Sequence, residues 1–146
     1  MKIRTDYITN SSSSLFVIAF KSLPAIDEET LAKYPFLKIY KNLVEKVLLE
    51  EGCYEDTEAG QVFSTQEEFD RYYIEEYGWG EYDTIDKIRK QRDYYENNYS
   101  KPIEYINNGY SILVKDVSYH DENTRAIIEG LAEDNKNFVV ILAEND

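Results

Sequence analysis

The sequence predicts an α/β or α+β fold: a small mixed sheet of three to four strands, helices packed on it, and an acidic helical middle segment. Three observations carry this. Residues 15–20 and 138–143 are six-residue apolar runs, as expected of strands covered on both faces. Between them lie stretches with apolar residues three and four apart, the spacing of a helix with one buried stripe. Segment 45–86 holds fourteen Asp and Glu against Lys46 and Arg71, a net of −12 where the whole chain carries −13.

Residues 1–7 alternate Ile3, Thr5 and Tyr7 with Lys2, Arg4 and Asp6, the period of a half-buried strand. Thr9, Asn10 and the serines Ser11–Ser14 are turn formers, and a hairpin through them into strand 15–20 is the simplest join. Residues 27–33 suit a short helical turn. Pro35 suits the first turn of a helix over 36–51 that ends at Gly52. Its inward stripe is expected to be Phe36, Tyr40, Leu43, Val44, Val47 and Leu48. Residues 53–63 read as an acidic loop.

Ser64-Thr65-Gln66-Glu67 has the pattern of a capping box. It opens a helix over 65–77 that buries Phe69, Tyr72 and Tyr73 and breaks at Gly78-Trp79-Gly80. Thr84 caps a further helix with Ile85, Ile88, Arg92, Tyr95 and Tyr99 inward. Its basic cluster of Lys87, Arg89, Lys90 and Arg92 is expected to pair with the acids just before it. Pro102 and Asn107-Asn108-Gly109 mark loops around a strand at 110–117. Asp121 caps a helix over about 122–133 with Ile127, Ile128 and Leu131 inward. Residues 138–143 then form a second central strand. Strand, helix and strand together have the length of a βαβ crossover.

With 146 residues, 42% of them hydrophobic and 14% aromatic, one domain with a real core is expected, its acidic Tyr-rich helical part spanning about 36–100. A pI near 4.5 opposes direct binding to nucleic acid, which needs clustered cations against phosphates. It also opposes adsorption to anionic membranes. No apolar run approaches the roughly 20 residues of a membrane span. Cys53 is the only cysteine, so no internal disulfide can form and a cytoplasmic setting is expected. Met1-Lys2-Ile3-Arg4 leads into Asp6 and four serines rather than a secretion signal.

No catalytic signature stands out. EF-hand spacing and phosphate-binding glycine loops are absent, and one histidine with one cysteine cannot build a His/Cys zinc site in a single chain. Neither cofactor nor metal is expected.

The opening Arg4-Thr5-Asp6-Tyr7-Ile8-Thr9-Asn10-Ser11-Ser12-Ser13-Ser14-Leu15-Phe16 resembles a signature of small uncharacterised proteins from bacteriophages and Gram-positive bacteria. In them Arg-x-Asp/Asn-aromatic-Val/Ile-Thr/Ser-Asn leads into a run of serines and Phe. The likeness covers about the first 20 residues. It implies a phage or mobile-element origin and no particular chemistry.

The function expected is therefore that of a non-enzymatic, acidic interaction module. Its candidate partner-binding residues are Glu55, Asp56, Glu67, Glu68, Asp70, Tyr72, Glu75, Glu76, Trp79 and Tyr82, carboxylates interleaved with the aromatics that favour interfaces. The partner is a basic protein surface. In its concrete form, an anti-CRISPR-type inhibitor mimics nucleic acid and fills the basic groove of a host defence protein. The alternative is a small ligand- or nucleotide-binding domain with its site at the strand end near Asp116 and His120. A plain solvated face also accounts for the carboxylates.

Overall fold

Strand β1, Ser13–Phe20, is the spine of the sheet, and all eight of its residues are buried. The computed structural model describes residues 13–23, 26–91 and 96–145. After β1 come α1 (Glu28–Lys33), α2 (Leu37–Leu49), β2 (Gln61–Phe63), α3 (Gln66–Tyr77) and α4 (Ile85–Arg89). A π-helical turn, Glu96–Ser100, leads into α5 (Lys101–Asn107), β3 (Ser111–Ser118), α6 (Glu122–Asp134) and β4 (Phe138–Asn145). The strand order is β2-β3-β1-β4, with every neighbouring pair antiparallel. The fold is α+β.

Because β3 and β4 each run antiparallel to β1, they run parallel to one another with β1 between them. The expected strand–helix–strand unit is thus a crossover that leaps one strand. Successive side chains of a strand point to opposite faces, and β1 supplies a core to each. Phe16, Ile18 and Phe20 pack with Val44 and Leu48 of α2 and Ile128 and Leu131 of α6. Leu15, Val17 and Ala19 pack with Phe69 and Tyr73 of α3, Ile88 of α4, and Tyr99. This explains the unbroken apolar run: the strand lies between two helical layers. Opposite the junction of Val17 and Ile18 the register of β4 slips from Leu142 to Val140, leaving Ile141 as a bulge.

Several expectations need correction. Among the described residues, 138–143 pair on one side only and do not form a central strand. Among the described residues β4 is an edge strand, and only Phe138 of that run is fully buried. The inward stripe of α2 is narrower than predicted: Val44 and Leu48 are buried, while Phe36, Tyr40 and Leu43 are exposed. The loop 53–63 ends in β2, which pairs with β3. Pro102 does not mark a loop but sits in the first turn of α5, where a missing N–H is harmless. The strand and hairpin expected over residues 1–7, and the positions of Arg92 and Tyr95, lie outside the described residues.

Candidate functional site

Helix α3 begins where Thr65 accepts a hydrogen bond from the Glu68 amide at 3.2 Å, while Glu68 accepts one from the Ser64 amide at 3.4 Å. The capping residues are thus one position later than the Ser64/Glu67 pair expected. The helix buries Phe69 and Tyr73 completely against the sheet. That orientation forces Glu67, Glu68, Arg71 and Glu75 to the outside, where all four are exposed.

At its end Gly78 lets the chain turn. A Cβ there would lie 2.5 Å from the Ile74 carbonyl oxygen. Trp79 and Tyr82 then exchange two backbone hydrogen bonds, of 3.1 and 2.9 Å, around Gly80, whose φ of +56° is left-handed. Trp79 ends 69% exposed at this turn, with its ring 5.1 Å from that of Tyr82. Glu81, Asp83 and Asp86 are exposed beside it in the sequence. Thr84 caps α4 by accepting from the Lys87 amide.

Two ion pairs on this surface are weak ones. Glu67 pairs with Arg71 at 3.6 Å and Asp83 with Lys87 at 3.2 Å, both solvent-exposed i,i+4 pairs of the kind that contributes about 0.5 kcal/mol or less. Of the basic cluster, Arg89 also lies over the ring of Tyr99, 5.4 Å from its centre.

The predicted site residues fall into three groups. Glu67, Glu68, Glu75, Glu76, Trp79 and Tyr82 share α3 and the turn after it, on one side of the sheet. Asp70 and Tyr72 belong to the same helix but face inward. Asp70 accepts a 2.7 Å hydrogen bond from the Tyr99 hydroxyl, and Tyr72 stacks on Phe63 at 4.8 Å. Burial, then that bond to Asp70, pushes the Tyr99 hydroxyl up to about 12.

Glu55 and Asp56 lie apart, in the loop after α2. The buried Thr57 pins that loop, accepting from the Ser118 amide at 2.9 Å and donating to Asp121 at 3.0 Å. The acidic segment thus spans both helical layers: α2 packs on one face of the sheet and α3 on the other, with β2 between them in the chain.

The strand end around Asp116 and His120 is dense with internal bonds. Asp121 accepts from the amide and hydroxyl of Thr124 and from Thr57. Burial pushes its carboxyl up, but these bonds and Lys115 outweigh that and hold it below its ordinary range. Arg125 donates to the carbonyls of Ser118 and Val117 and to the Ser14 hydroxyl. His120 is exposed near Tyr54, with ring centres 6.2 Å apart. Among the described residues no His, Cys, Asp and Glu group is placed to hold a metal ion, and no helix is long and apolar enough to cross a membrane.

Sequence reasoning missed Lys115. It is 1% exposed and donates to the main-chain carbonyls of Glu50 and Glu58. The signal was available: a lysine within Ile112-Leu113-Val114-Lys115-Asp116-Val117 is a charge inside an apolar strand. Comparison with protein families, curated proteins and solved structures finds no match to this chain.

Proposed function

We propose that the protein is an acidic interaction module that docks on a basic protein surface through the outer face of α3 and the Trp79 turn. The observation that carries this reading is Trp79. A solvated carboxylate face needs no explanation beyond solubility. A tryptophan left 69% exposed on a turn fixed by two backbone bonds does, because a large aromatic in water is unfavourable and such residues anchor interfaces. The carboxylates around it in sequence supply long-range attraction, and Trp79 supplies contact area.

The concrete form is a nucleic-acid mimic. Glu67, Glu68 and Glu75, exposed on α3, would take the positions of phosphates against the Arg and Lys of such a groove. The N-terminal likeness supports a phage or mobile-element setting, in which a host nucleic-acid-binding defence protein would be the target. A small-ligand site near Asp116 and His120 draws less support, because Asp121, Thr57, Thr124 and Ser118 direct polar atoms to one another.

The test is capture from bacterial lysate on the immobilised full chain, with elution in a salt gradient. Basic nucleic-acid-binding proteins are expected to be retained, to elute as salt rises, and to be displaced by double-stranded DNA. Columns carrying Trp79→Ala, or Glu67, Glu68 and Glu75 all changed to Lys, should lose them. Equal retention on the variant columns overturns the reading.

A further inference from the structure

Helix α2 has a second apolar stripe that the core does not use. Phe36, Ile39, Tyr40 and Leu43 follow i, i+3, i+4, i+7, the spacing of one helical face. Val44 and Leu48 turn to the sheet, whereas Phe36 is 68%, Ile39 76% and Leu43 60% exposed. Tyr34, also exposed, sets its ring edge-on to Phe36 at 6.1 Å. Through Tyr40 the stripe adjoins a shallow hollow of about 350 Å³ between α2 and α6, also lined by Ile26, Ile127 and Gly130.

We infer that this face is a self-association surface, and that the protein forms a two-fold dimer with α2 packed antiparallel against α2 of a second copy. Two arguments select a second copy over another occupant. The first is charge. Segment 27–49 carries Lys33, Lys38, Lys41 and Lys46 against Asp27, Glu28, Glu29 and Glu45, a net of zero in a chain of −13. It is where two such acidic molecules can meet with little like-charge repulsion. A face without net charge gains little from a strongly basic or strongly acidic partner.

The second argument is area. At roughly 200 Å² for a large apolar residue, the exposed fractions of Tyr34, Phe36, Ile39, Tyr40 and Leu43 amount to on the order of 600 Å². That is at the upper end for the largest apolar patch on a monomer. With the rim of the hollow it approaches the roughly 800 Å² each partner gives to a stable interface. An isologous pairing suits one apolar stripe facing its own copy, with Phe36 across from the partner's Leu43 and the Ile39 positions near the axis.

The inference is independent of the acidic docking face, which lies on α3 in the other helical layer. The test is sedimentation velocity and light scattering on the full chain from about 5 to 300 μM, a range spanning the affinities of ordinary dimers. The expected species is twice the 17.2 kDa chain mass. It should persist in about 1 M NaCl, because apolar burial is not screened. Ile39→Glu with Leu43→Glu should weaken association at least ~100-fold and leave the far-ultraviolet circular dichroism unchanged. Ile39→Lys alone, at the most exposed position of the stripe, decides the matter if the double variant misfolds. Trp79→Ala should leave the dimer intact. A wild-type monomer throughout the range, dissociation by salt, or a dimer that survives Ile39→Lys overturns the inference.

Discussion

The ammonium of Lys115 donates to the main-chain carbonyl of Glu50 at 2.9 Å. Glu50 is the C-cap of α2, so a buried cation sits at the negative end of a helix dipole, where it is favourable. The same ammonium donates to the Glu58 carbonyl at 2.6 Å and thereby ties both ends of the 51–58 loop to the sheet. Burial pushes its pKa down, opposed by the carboxylates of Asp121, Asp116 and Glu58.

Lys115→Met keeps most of the volume but removes both hydrogen bonds to the Glu50 and Glu58 carbonyls. A loss of about 2 kcal/mol is expected, the usual size for hydrogen bonds made by a charged group. Thermal melting should fall by on the order of 5 °C. Lys136→Met, at an exposed position, is the control and should shift it little. Limited proteolysis of the Lys115→Met variant should also cut first in the 51–60 loop.

Asp121 makes stability fall in acid. Its folded carboxyl titrates below the unfolded value of 3.8, so the unfolded chain takes up the proton first. The stabilisation is complete above 3.8 and drains as the pH falls through the folded value. Asp121→Asn should lower stability at neutral pH yet flatten the acid limb of the stability curve relative to wild type. Parallel acid limbs in chemical denaturation series would contradict this.

Tyr99 acts at the other end of the scale. Its folded hydroxyl is raised from 10.0 to about 12, so its contribution is full below pH 10 and is lost between 10 and 12. Tyr99→Phe removes the bond to Asp70 and should cost about 1 kcal/mol near neutrality. It should also reduce the alkaline slope of stability. Ultraviolet difference titration of the wild type against Tyr99→Phe should show that the phenol removed ionises near pH 12.

Two glycines make opposite predictions. A Cβ on Gly60 would lie 2.3 Å from the Leu48 carbonyl oxygen and 2.7 Å from Leu113 Cδ1. The first obstacle is backbone, so Gly60→Ala should destabilise strongly and detach β2. Gly130 lies inside α6 with nothing within 4 Å of its Cβ position. Gly130→Ala should stabilise by about 0.5–1 kcal/mol, because alanine loses less backbone freedom in a helix. Denaturant midpoints of the two variants should move in opposite directions.

Val17→Asp and Val140→Asp should differ. Val17 is 3% exposed in the strand between two helical layers, and an unpaired carboxylate there costs several kcal/mol. Val140 is only half-buried, in an edge strand, and its carboxylate can reach water. The first variant should fail to fold and the second should melt at a lower temperature. Equal losses would mean β4 is covered as deeply as β1.

The sheet's spine and the helix starts were legible because their signals are local. The run Leu15 to Phe20 reads as doubly covered whatever covers it, and Thr84 and Asp121 cap their helices through neighbours three residues on. What was not legible depends on partners distant in sequence. Three residues of β2 are too few for a period to emerge. The apolar run in β4 gives no clue that it lies at an edge. The stripe of α2 is wider than the core that receives it, and spacing cannot say which of its residues find a neighbour. The acidic block looked like one surface because it is contiguous in sequence. Contiguity does not show that the chain passes through β2 from one helical layer to the other, or that Asp70 and Tyr72 turn inward.

The place of β1 in the sheet also sets the order in which the molecule can be assembled. Phe20 pairs with Ser111, 91 positions later, and Ser14 with Asn145, 131 positions later. The β1–β3 ladder cannot be complete before residue 118 has been made, nor the β1–β4 ladder before residue 145. Contacts so remote in sequence close slowly. During synthesis, therefore, this apolar strand waits without its hydrogen-bonding neighbours, while the charged segment 45–86, whose like charges favour dispersal, is made between them.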